Sequence, residues 1–198
     1  MNTLARELQK EGIGLDDHAL SRLERFAELL EEWNGTHNLT GAKSRQEIER
    51  NIVDSLIPVR FVDAPESLLD VGTGAGFPGL VLAAAWPETE TVLCEPLNKR
   101  AAFLRLAVLE LGLESVEVAK RRVEELEHEP FALISSRAVS DTALLLKLTE
   151  HLADERTRWL LYKGSRAQSE LERAEGVKVL RSVERPPRRY LLLAKPER

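Results

Sequence analysis

The chain contains, at residues 68–79, the sequence Leu-Leu-Asp-Val-Gly-Thr-Gly-Ala-Gly-Phe-Pro-Gly. Its first four residues predict a buried strand that carries Asp70 near its carboxyl end, and the apolar residues after Gly79 predict a helix. The glycines between them adopt backbone angles that a Cβ forbids and let the main chain lie against a ligand. A strand, a glycine turn and a helix in this order are typical of a nucleotide-type α/β fold.

Two ligand-binding templates fit the same letters. Gly74 to Gly79 matches G-x-G-x-x-G, the dinucleotide fingerprint. Asp70 to Gly76 matches D-x-G-x-G-x-G, the loop of methyltransferases that bind S-adenosylmethionine. A third interpretation is a tight strand-to-helix turn without a ligand, although four glycines within residues 72–79 are more than a turn needs. The glycine loop alone leaves all three interpretations open.

The chain has 198 residues, which is enough for one domain with an appendage. Its composition predicts a soluble, cytoplasmic protein. We find no signal peptide and no apolar run of membrane-spanning length. The one cysteine, Cys94, excludes an internal disulfide, and the four scattered histidines predict no metal site. The net charge of −5 argues against indiscriminate nucleic-acid binding, but the basic residues after position 177 allow a local RNA-binding face.

The first 60 residues predict helices. Apolar residues at three-four spacing predict a helix over residues 16–34, and we expect a turn at Asn34-Gly35 to end it. Ser44 predicts the N-cap of the next helix, with Glu47 three residues later in a capping box. We therefore assign residues 1–60 to an N-terminal helical extension and residues 61–198 to an α/β domain, the two packed as one globular unit.

From residue 67 onward, predicted strands and helices alternate. The expected strands cover residues 68–71, 91–94, 116–119, 131–134 and 159–162, and residues 177–183 and 190–194 are expected to form a hairpin. A polar helix is expected over residues 165–175. Alternation predicts a mostly parallel sheet covered on both faces. A seven-stranded sheet of this kind with a terminal antiparallel hairpin is characteristic of class I, Rossmann-like methyltransferases, whereas NAD domains usually end all-parallel.

Polar residues follow the predicted parallel strands at the edge where such sheets bind ligands. Glu95 ends the second strand, where an acid can accept both ribose hydroxyls. The other strand ends carry Gly72 and Gly74, then Arg122, Val123 and Glu124, then Arg137, and finally Lys163. A dinucleotide places its pyrophosphate on a helix N-terminus. S-adenosylmethionine has no phosphate and a positive sulfonium, so the carboxylate of Asp70 beside the loop favours this ligand.

Motifs spread over most of the chain carry a family resemblance. They are Trp33-Asn34, Asn38-Leu39-Thr40, Asp54-Ser55-Leu56, the loop from Asp70 to Gly79, Glu95, Lys99-Arg100, Phe103-Leu104, Arg122-Val123-Glu124, Ser136-Arg137-Ala138 and Lys163-Gly164. On these motifs the sequence resembles the RsmG (GidB) family, which methylates a guanine of 16S ribosomal RNA. The Asn-Leu-Thr segment and the Gly-Phe-Pro-Gly ending are more specific than the glycine loop. The family commonly has histidine where this chain has Asn51.

The resemblance implies that residues 61–198 are a methyltransferase domain with S-adenosylmethionine as its cofactor. It implies methyl transfer to nitrogen-7 of a guanine in the 16S ribosomal RNA of the small ribosomal subunit. The cofactor site it implies consists of Gly72, Gly74, Phe77, Glu95, Pro96, Leu97, Val123, Glu124 and Arg137. For RNA contact we hypothesise residues at the active edge or in the family's polar motifs: Asn38, Arg122, Arg137, Lys163 and Arg189.

Nitrogen-7 of guanine has an in-plane lone pair and no proton, so its attack needs no general base and we assign no catalytic residue. Cys94 lies within a predicted strand, which argues against a covalent cysteine mechanism. A monomer is expected. Two other functions remain open: an NAD(P)-dependent oxidoreductase that uses Gly74 to Gly79, and a non-enzymatic RNA-binding protein in which the loop is only a turn.

Overall fold

The computed structural model describes residues 3–137 and 141–196, so Ala138 of the Ser136-Arg137-Ala138 motif lies outside the described residues. The described helices are α1 Thr3–Lys10, α2 Asp17–His37, α3 Arg45–Leu56, α4 Gly79–Ala85, α5 Asn98–Glu110, α6 Thr142–Leu148 and α7 Ala167–Leu171. The strands are β1 Ser67–Val71, β2 Glu90–Cys94, β3 Val116–Ala119, β4 Leu133–Arg137, β5 Arg158–Lys163, β6 Lys178–Arg185 and β7 Arg188–Ala194. Within these ranges, no helix has both the length and the apolar character that a membrane crossing requires.

The strands form one seven-stranded sheet in the order β3-β2-β1-β4-β5-β7-β6. Strands β1 to β5 pair in parallel, whereas β7 runs antiparallel to both β5 and β6. The predicted fold class and the terminal hairpin are therefore confirmed. The chain passes outward from β1 to β3 and then returns to place β4 on the other side of β1. This reversal of strand order creates a crevice at the carboxyl ends of β1 and β4, where open α/β sheets bind ligands.

Both faces of the central strands β1, β4 and β5 are buried. Neighbouring residues of a strand point to opposite faces, and Leu68 accordingly packs in one hydrophobic cluster while Leu69 packs in another. The first cluster also contains Phe26 of α2, Ile52 of α3 and Leu80 of α4, so the N-terminal helices cover that face. The division of the chain into an extension of residues 1–60 and a domain of residues 61–198 stays a prediction.

The predicted turn at Asn34-Gly35 is wrong, because α2 continues through it to His37. Asn38 ends the helix in the left-handed conformation, with φ 50°, and its backbone N–H donates to the carbonyl oxygen of Asn34. The Asn34 amide accepts a hydrogen bond from the Thr40 N–H at 2.8 Å and donates one to the Ala42 carbonyl at 2.7 Å. Asn34 therefore holds the loop that follows the helix, a function that its local turn propensity does not reveal.

Other element boundaries also differ from the prediction. Strand β4 covers Leu133–Arg137 rather than residues 131–134, because the hydroxyls of Ser135 and Ser136 are satisfied inside the sheet by Asp70 and the Val71 carbonyl. The polar helix expected over residues 165–175 is only α7, Ala167–Leu171. The N-cap is confirmed, since the Ser44 side chain accepts from the Glu47 N–H at 3.3 Å.

Candidate active site

A cavity of about 760 Å³ opens at the crevice between β1 and β4. The residues expected to hold a cofactor come from four strand ends, and the fold brings all of them to its wall. These residues are Gly72, Gly74, Phe77, Glu95, Pro96, Leu97, Val123, Glu124 and Arg137. Leu39, Thr40 and Gly41, from the loop that follows α2, close another side. The strand-end pattern thus identified one continuous surface, and the assignment of its residues to a cofactor stays a prediction.

Asp70 lies beneath the glycine loop and is fully buried. Its Oδ1 accepts a hydrogen bond from the Ser135 hydroxyl at 2.7 Å, and its Oδ2 accepts one from the Gly79 N–H at 2.8 Å. Gly79 is the first residue of α4, so a carboxylate of the protein itself already lies at the positive end of this helix. The position where a dinucleotide would place its pyrophosphate is therefore already taken.

Burial raises the pKa of Asp70 to about 6, and the hydrogen bonds from Ser135 and Gly79 oppose this shift. Because the folded pKa is raised, Asp70 contributes most to stability below about pH 4, and this contribution is lost as the pH rises through about 6. Relative to Asp70→Asn, the wild-type free energy of unfolding is expected to fall by about 3 kcal/mol between about pH 4 and pH 7.5. Urea denaturation of both proteins measures this difference, and a pH-independent difference would contradict the prediction.

Glu95 forms the wall next to the glycine loop. Only 2% of it is exposed, its Oε2 accepts the Gly74 N–H at 3.0 Å and its Oε1 accepts the Leu97 N–H at 2.9 Å. Gly74 makes this contact with φ +62°, a backbone conformation that strains any side chain. The carboxylate is thus held rigidly, and each oxygen keeps a lone pair for a ligand. Two such acceptors side by side suit a pair of neighbouring hydroxyl groups.

Arg137 forms the wall on the β4 side. Its guanidinium lies over the Phe77 ring, 4.7 Å from the centroid, and its Nη1 donates to Asn51 Oδ1 at 3.0 Å. Its Nη1 is also 3.6 Å from Asp54 Oδ2. Burial lowers the pKa of Arg137, and the charge of Asp54 counteracts that effect. Arginine stays protonated in proteins, so the cavity has a fixed cation on this side.

The partners of Arg137 on α3 were not assigned a role from the sequence. Asp54 is buried and also accepts a hydrogen bond from the Tyr190 hydroxyl at 2.7 Å, while Arg188 Nε lies 3.3 Å from its Oδ2. The signal in the sequence is an acid set in the apolar stripe of α3, where a charge is costly without a partner. Together these groups link α3 to the terminal hairpin.

Of the remaining residues expected to contact RNA, only Arg122 borders the cavity. Arg122 is exposed and borders the cavity. Lys163 is buried and forms an ion pair with Glu170 at 2.8 Å. Arg189 forms an ion pair with Glu184, and Asn38 caps α2. The structure brings Arg122 and Arg137 together at the cavity and does not bring Asn38, Lys163 or Arg189 to its wall; all five contacts stay predictions.

A family model described as rRNA small subunit methyltransferase G, or GidB, matches residues 19–186. A protein of Wolinella succinogenes with the name ribosomal RNA small subunit methyltransferase G is 49% identical over 176 residues, which cover 89% of this chain and 91% of that protein. A protein of the same name from Halorhodospira halophila is 42% identical over 169 residues, 85% of this chain and 80% of its own.

Solved structures with a similar fold share little sequence with this chain. A ribosomal protein L11 methylase from Lactobacillus delbrueckii subsp. bulgaricus has a TM-score of 0.61 at 14% identity, covering 75% of this chain and 80% of its own. A mutant of MtNAS in complex with S-adenosylmethionine has a TM-score of 0.58 at 14% identity and covers 90% of this chain and 72% of its own. At these identities the similarity concerns the fold alone.

Proposed function

Because the chain belongs to the GidB family of rRNA small subunit methyltransferases, we propose that it transfers a methyl group from S-adenosylmethionine to nitrogen-7 of a guanine in 16S ribosomal RNA. Family membership, predicted from the motifs, is confirmed, and with it the assignment as an rRNA methyltransferase that uses S-adenosylmethionine. The observation that carries the proposal is the cavity at the β1–β4 crevice, where Glu95 and Arg137 face one space.

The residues of the cavity fit the cofactor. The two acceptors of Glu95 suit the ribose hydroxyls, and Val123 and Glu124 border the β3 end, where the adenine would lie. Asp70 already fills the anion position of α4, which suits a ligand without a phosphate. When bound, S-adenosylmethionine supplies a methyl group made electrophilic by its sulfonium.

The strand order predicts where the reactive end lies. Across the sheet, β3 borders the expected adenine position and β2 brings Glu95 to the ribose position. The next strands in the same direction are β1 and β4, so the methyl end is expected near Arg137, the last residue of β4. The RNA base must therefore approach the cavity from the Arg137 side.

The chemistry assigned to the protein is orientation rather than proton transfer. Nitrogen-7 attacks with its own lone pair, so the protein has to hold the base in line with the methyl group, an effect that can supply roughly 7–11 kcal/mol. Cys94 borders the cavity, but its thiol donates to the Arg121 carbonyl at 3.2 Å, and burial raises its pKa to about 12. A thiolate nucleophile is thereby disfavoured.

The test is incubation of the protein with S-adenosylmethionine and unmodified 16S ribosomal RNA, either free or in small subunits, followed by nucleoside analysis. We expect 7-methylguanosine in the RNA and S-adenosylhomocysteine in equal amount. A methylated product other than 7-methylguanosine would contradict the assignment of the acceptor atom. The absence of any methyl transfer to both forms of substrate would contradict the proposal as a whole.

Substitution Glu95→Ala is expected to weaken S-adenosylmethionine binding roughly 100-fold, because two hydrogen bonds to a charged acceptor are lost. Calorimetric titration with S-adenosylmethionine measures the change. Glu117→Ala serves as a control, since Glu117 is an exposed acid on β3 that does not border the cavity, and its affinity should equal that of the wild type. Unchanged affinity in Glu95→Ala would remove this carboxylate from the cofactor site.

The two alternative functions have no support from the family match. Neither an NAD(P)-dependent oxidoreductase nor a non-enzymatic RNA-binding protein corresponds to the relatives described above. A monomer in the cytoplasm that acts on the small ribosomal subunit remains part of the proposal. Titration with NADH beside S-adenosylmethionine discriminates the first alternative, because exclusive binding of NADH would favour the oxidoreductase.

A further inference from the structure

A second recess adjoins the cavity on the Arg137 side. It has a volume of about 410 Å³ and is bordered by residues 40–42, Glu47, Arg50, Asn51 and Arg137. It shares Thr40, Gly41 and Arg137 with the cavity, so the two spaces meet at the expected methyl end. A planar group held in this recess lies next to the position where methyl transfer is expected.

The loop that forms one wall of the recess is fixed. Asn34 binds it at the Thr40 N–H and at the Ala42 carbonyl, and the Leu39 side chain is anchored with 3% exposure. Thr40 Oγ1 also accepts the Ala42 N–H at 3.4 Å. This wall of the recess is thus held in place by hydrogen bonds within the described residues. Preorganisation of this kind suits a site that has to orient one atom of its ligand.

Asn51 supplies hydrogen-bond donors of known orientation. An arginine side chain can only donate, so the atom of Asn51 that meets Arg137 Nη1 at 3.0 Å has to be the amide oxygen. This contact settles which way the amide points. Among residues 3–137 and 141–196, no partner takes the two N–H groups of Asn51 Nδ2. Asn51 therefore offers donors, and not an acceptor, to a ligand in the recess.

We propose that the recess receives the target guanine and that the Asn51 amide donates to its O6. This inference rests on the proposed function and adds the residue that selects the base. Guanine carries two adjacent acceptors, O6 and N7, on one edge, whereas adenine carries an N6 amino donor in place of O6. A donor at O6 leaves N7 free beside the cavity. If adenine lay in the same position, its N6 amino group would face the N–H groups of Asn51, and two donors cannot form a hydrogen bond with each other.

The substitution Asn51→Asp tests the donor to O6 separately from the contact with Arg137. The carboxylate still accepts from Arg137, so the arginine stays anchored, but it has no N–H for O6. The kcat/KM for RNA methylation is expected to fall at least roughly tenfold, while S-adenosylhomocysteine binds within about twofold of the wild type. Asn51→His keeps one N–H donor when its other nitrogen accepts from Arg137, and it is expected to recover most of the activity lost in Asn51→Asp.

Wild-type activity in Asn51→Asp would overturn the inference. A parallel loss of S-adenosylhomocysteine affinity would also overturn it, because it would assign Asn51 a structural function. Failure of the proposed function gives a different result, since the wild type would then form no 7-methylguanosine.

Nucleotide binding provides a readout that does not depend on turnover. The protein is saturated with S-adenosylhomocysteine, which blocks the adenine position of the cavity, and is titrated with GMP, IMP and AMP. GMP and IMP, which both carry O6, are expected to bind at least roughly tenfold more tightly than AMP. In Asn51→Asp this preference is expected to shrink to within about twofold. Equal binding of GMP and AMP to the wild type, or binding of neither, would contradict the recess as a guanine site.

Discussion

Replacement of Arg137 by alanine is expected to abolish rRNA methylation, with a loss in kcat/KM of at least about 100-fold. Arg137 is the only residue among those described that borders both the cavity and the recess from the sheet side. It is held over Phe77 and hydrogen-bonded to Asn51, so its loss removes a cation and a wall at the expected site of methyl transfer. Initial rates with labelled S-adenosylmethionine measure the effect.

The fold should survive this change. Asp54 keeps the hydrogen bond from Tyr190 and the ion pair with Arg188, so its buried charge stays compensated. Thermal unfolding and circular dichroism are expected to match the wild type closely. Arg105→Ala is the matched control, because Arg105 is an exposed arginine of α5 that does not border the cavity, and full activity is expected. Full activity in Arg137→Ala would remove this residue from the site.

Gly79→Ala is expected to lower the free energy of unfolding by about 2–4 kcal/mol. A Cβ at this position would lie 2.5 Å from Asp70 Cβ, 2.6 Å from Asp70 Oδ2 and 2.6 Å from Leu93 Cδ2. Strand β1 cannot yield without loss of its pairing, so Asp70 would have to leave the Gly79 N–H and the Ser135 hydroxyl. Urea denaturation measures the loss.

Gly35→Ala is a control with the opposite sign. Gly35 lies within α2 and is exposed, and a Cβ built on it has no described atom within 4 Å apart from its chain neighbours and the backbone of its own helix. Alanine there is expected to stabilise the protein by about 0.5–1 kcal/mol, because the backbone of glycine loses more freedom in a helix. Equal effects of the two substitutions would contradict the steric argument for Gly79.

Local patterns predicted a large part of the fold. Short apolar runs that alternate with helices identified the parallel strands, the last two strands were expected as a hairpin, and Ser44 was expected as a cap. The boundaries failed where distant residues change the local preference. Asn34-Gly35 has the letters of a turn, but the Asn34 side chain binds the loop after Asn38, so the helix continues. Strand β4 extends because Asp70, 65 residues away in sequence, accepts the Ser135 hydroxyl.

Some residues of the candidate site could likewise be predicted from the sequence, and others could not. The sequence by itself determined the glycine loop, the acid at the end of β2 and the arginine at the end of β4, because parallel strands bring their carboxyl ends to one edge. Lys163 is also the last residue of a strand, β5, yet its side chain forms an ion pair with Glu170 and does not border the cavity. A strand-end position places the backbone, whereas the direction of the side chain depends on its partners.

Only the tertiary structure decided what surrounds the loop. Asn51 meets Arg137 across 86 residues of sequence, and Tyr190 meets Asp54 across 136. The amide of Asn51 acquires its orientation from that contact alone, so neither its donors nor the recess could be inferred from spacing. Backbone conformation and side-chain periodicity are local properties, so they can be predicted from the amino-acid sequence. Hydrogen-bond partners are selected by proximity in space, which the packing of α3 and β7 against the sheet creates.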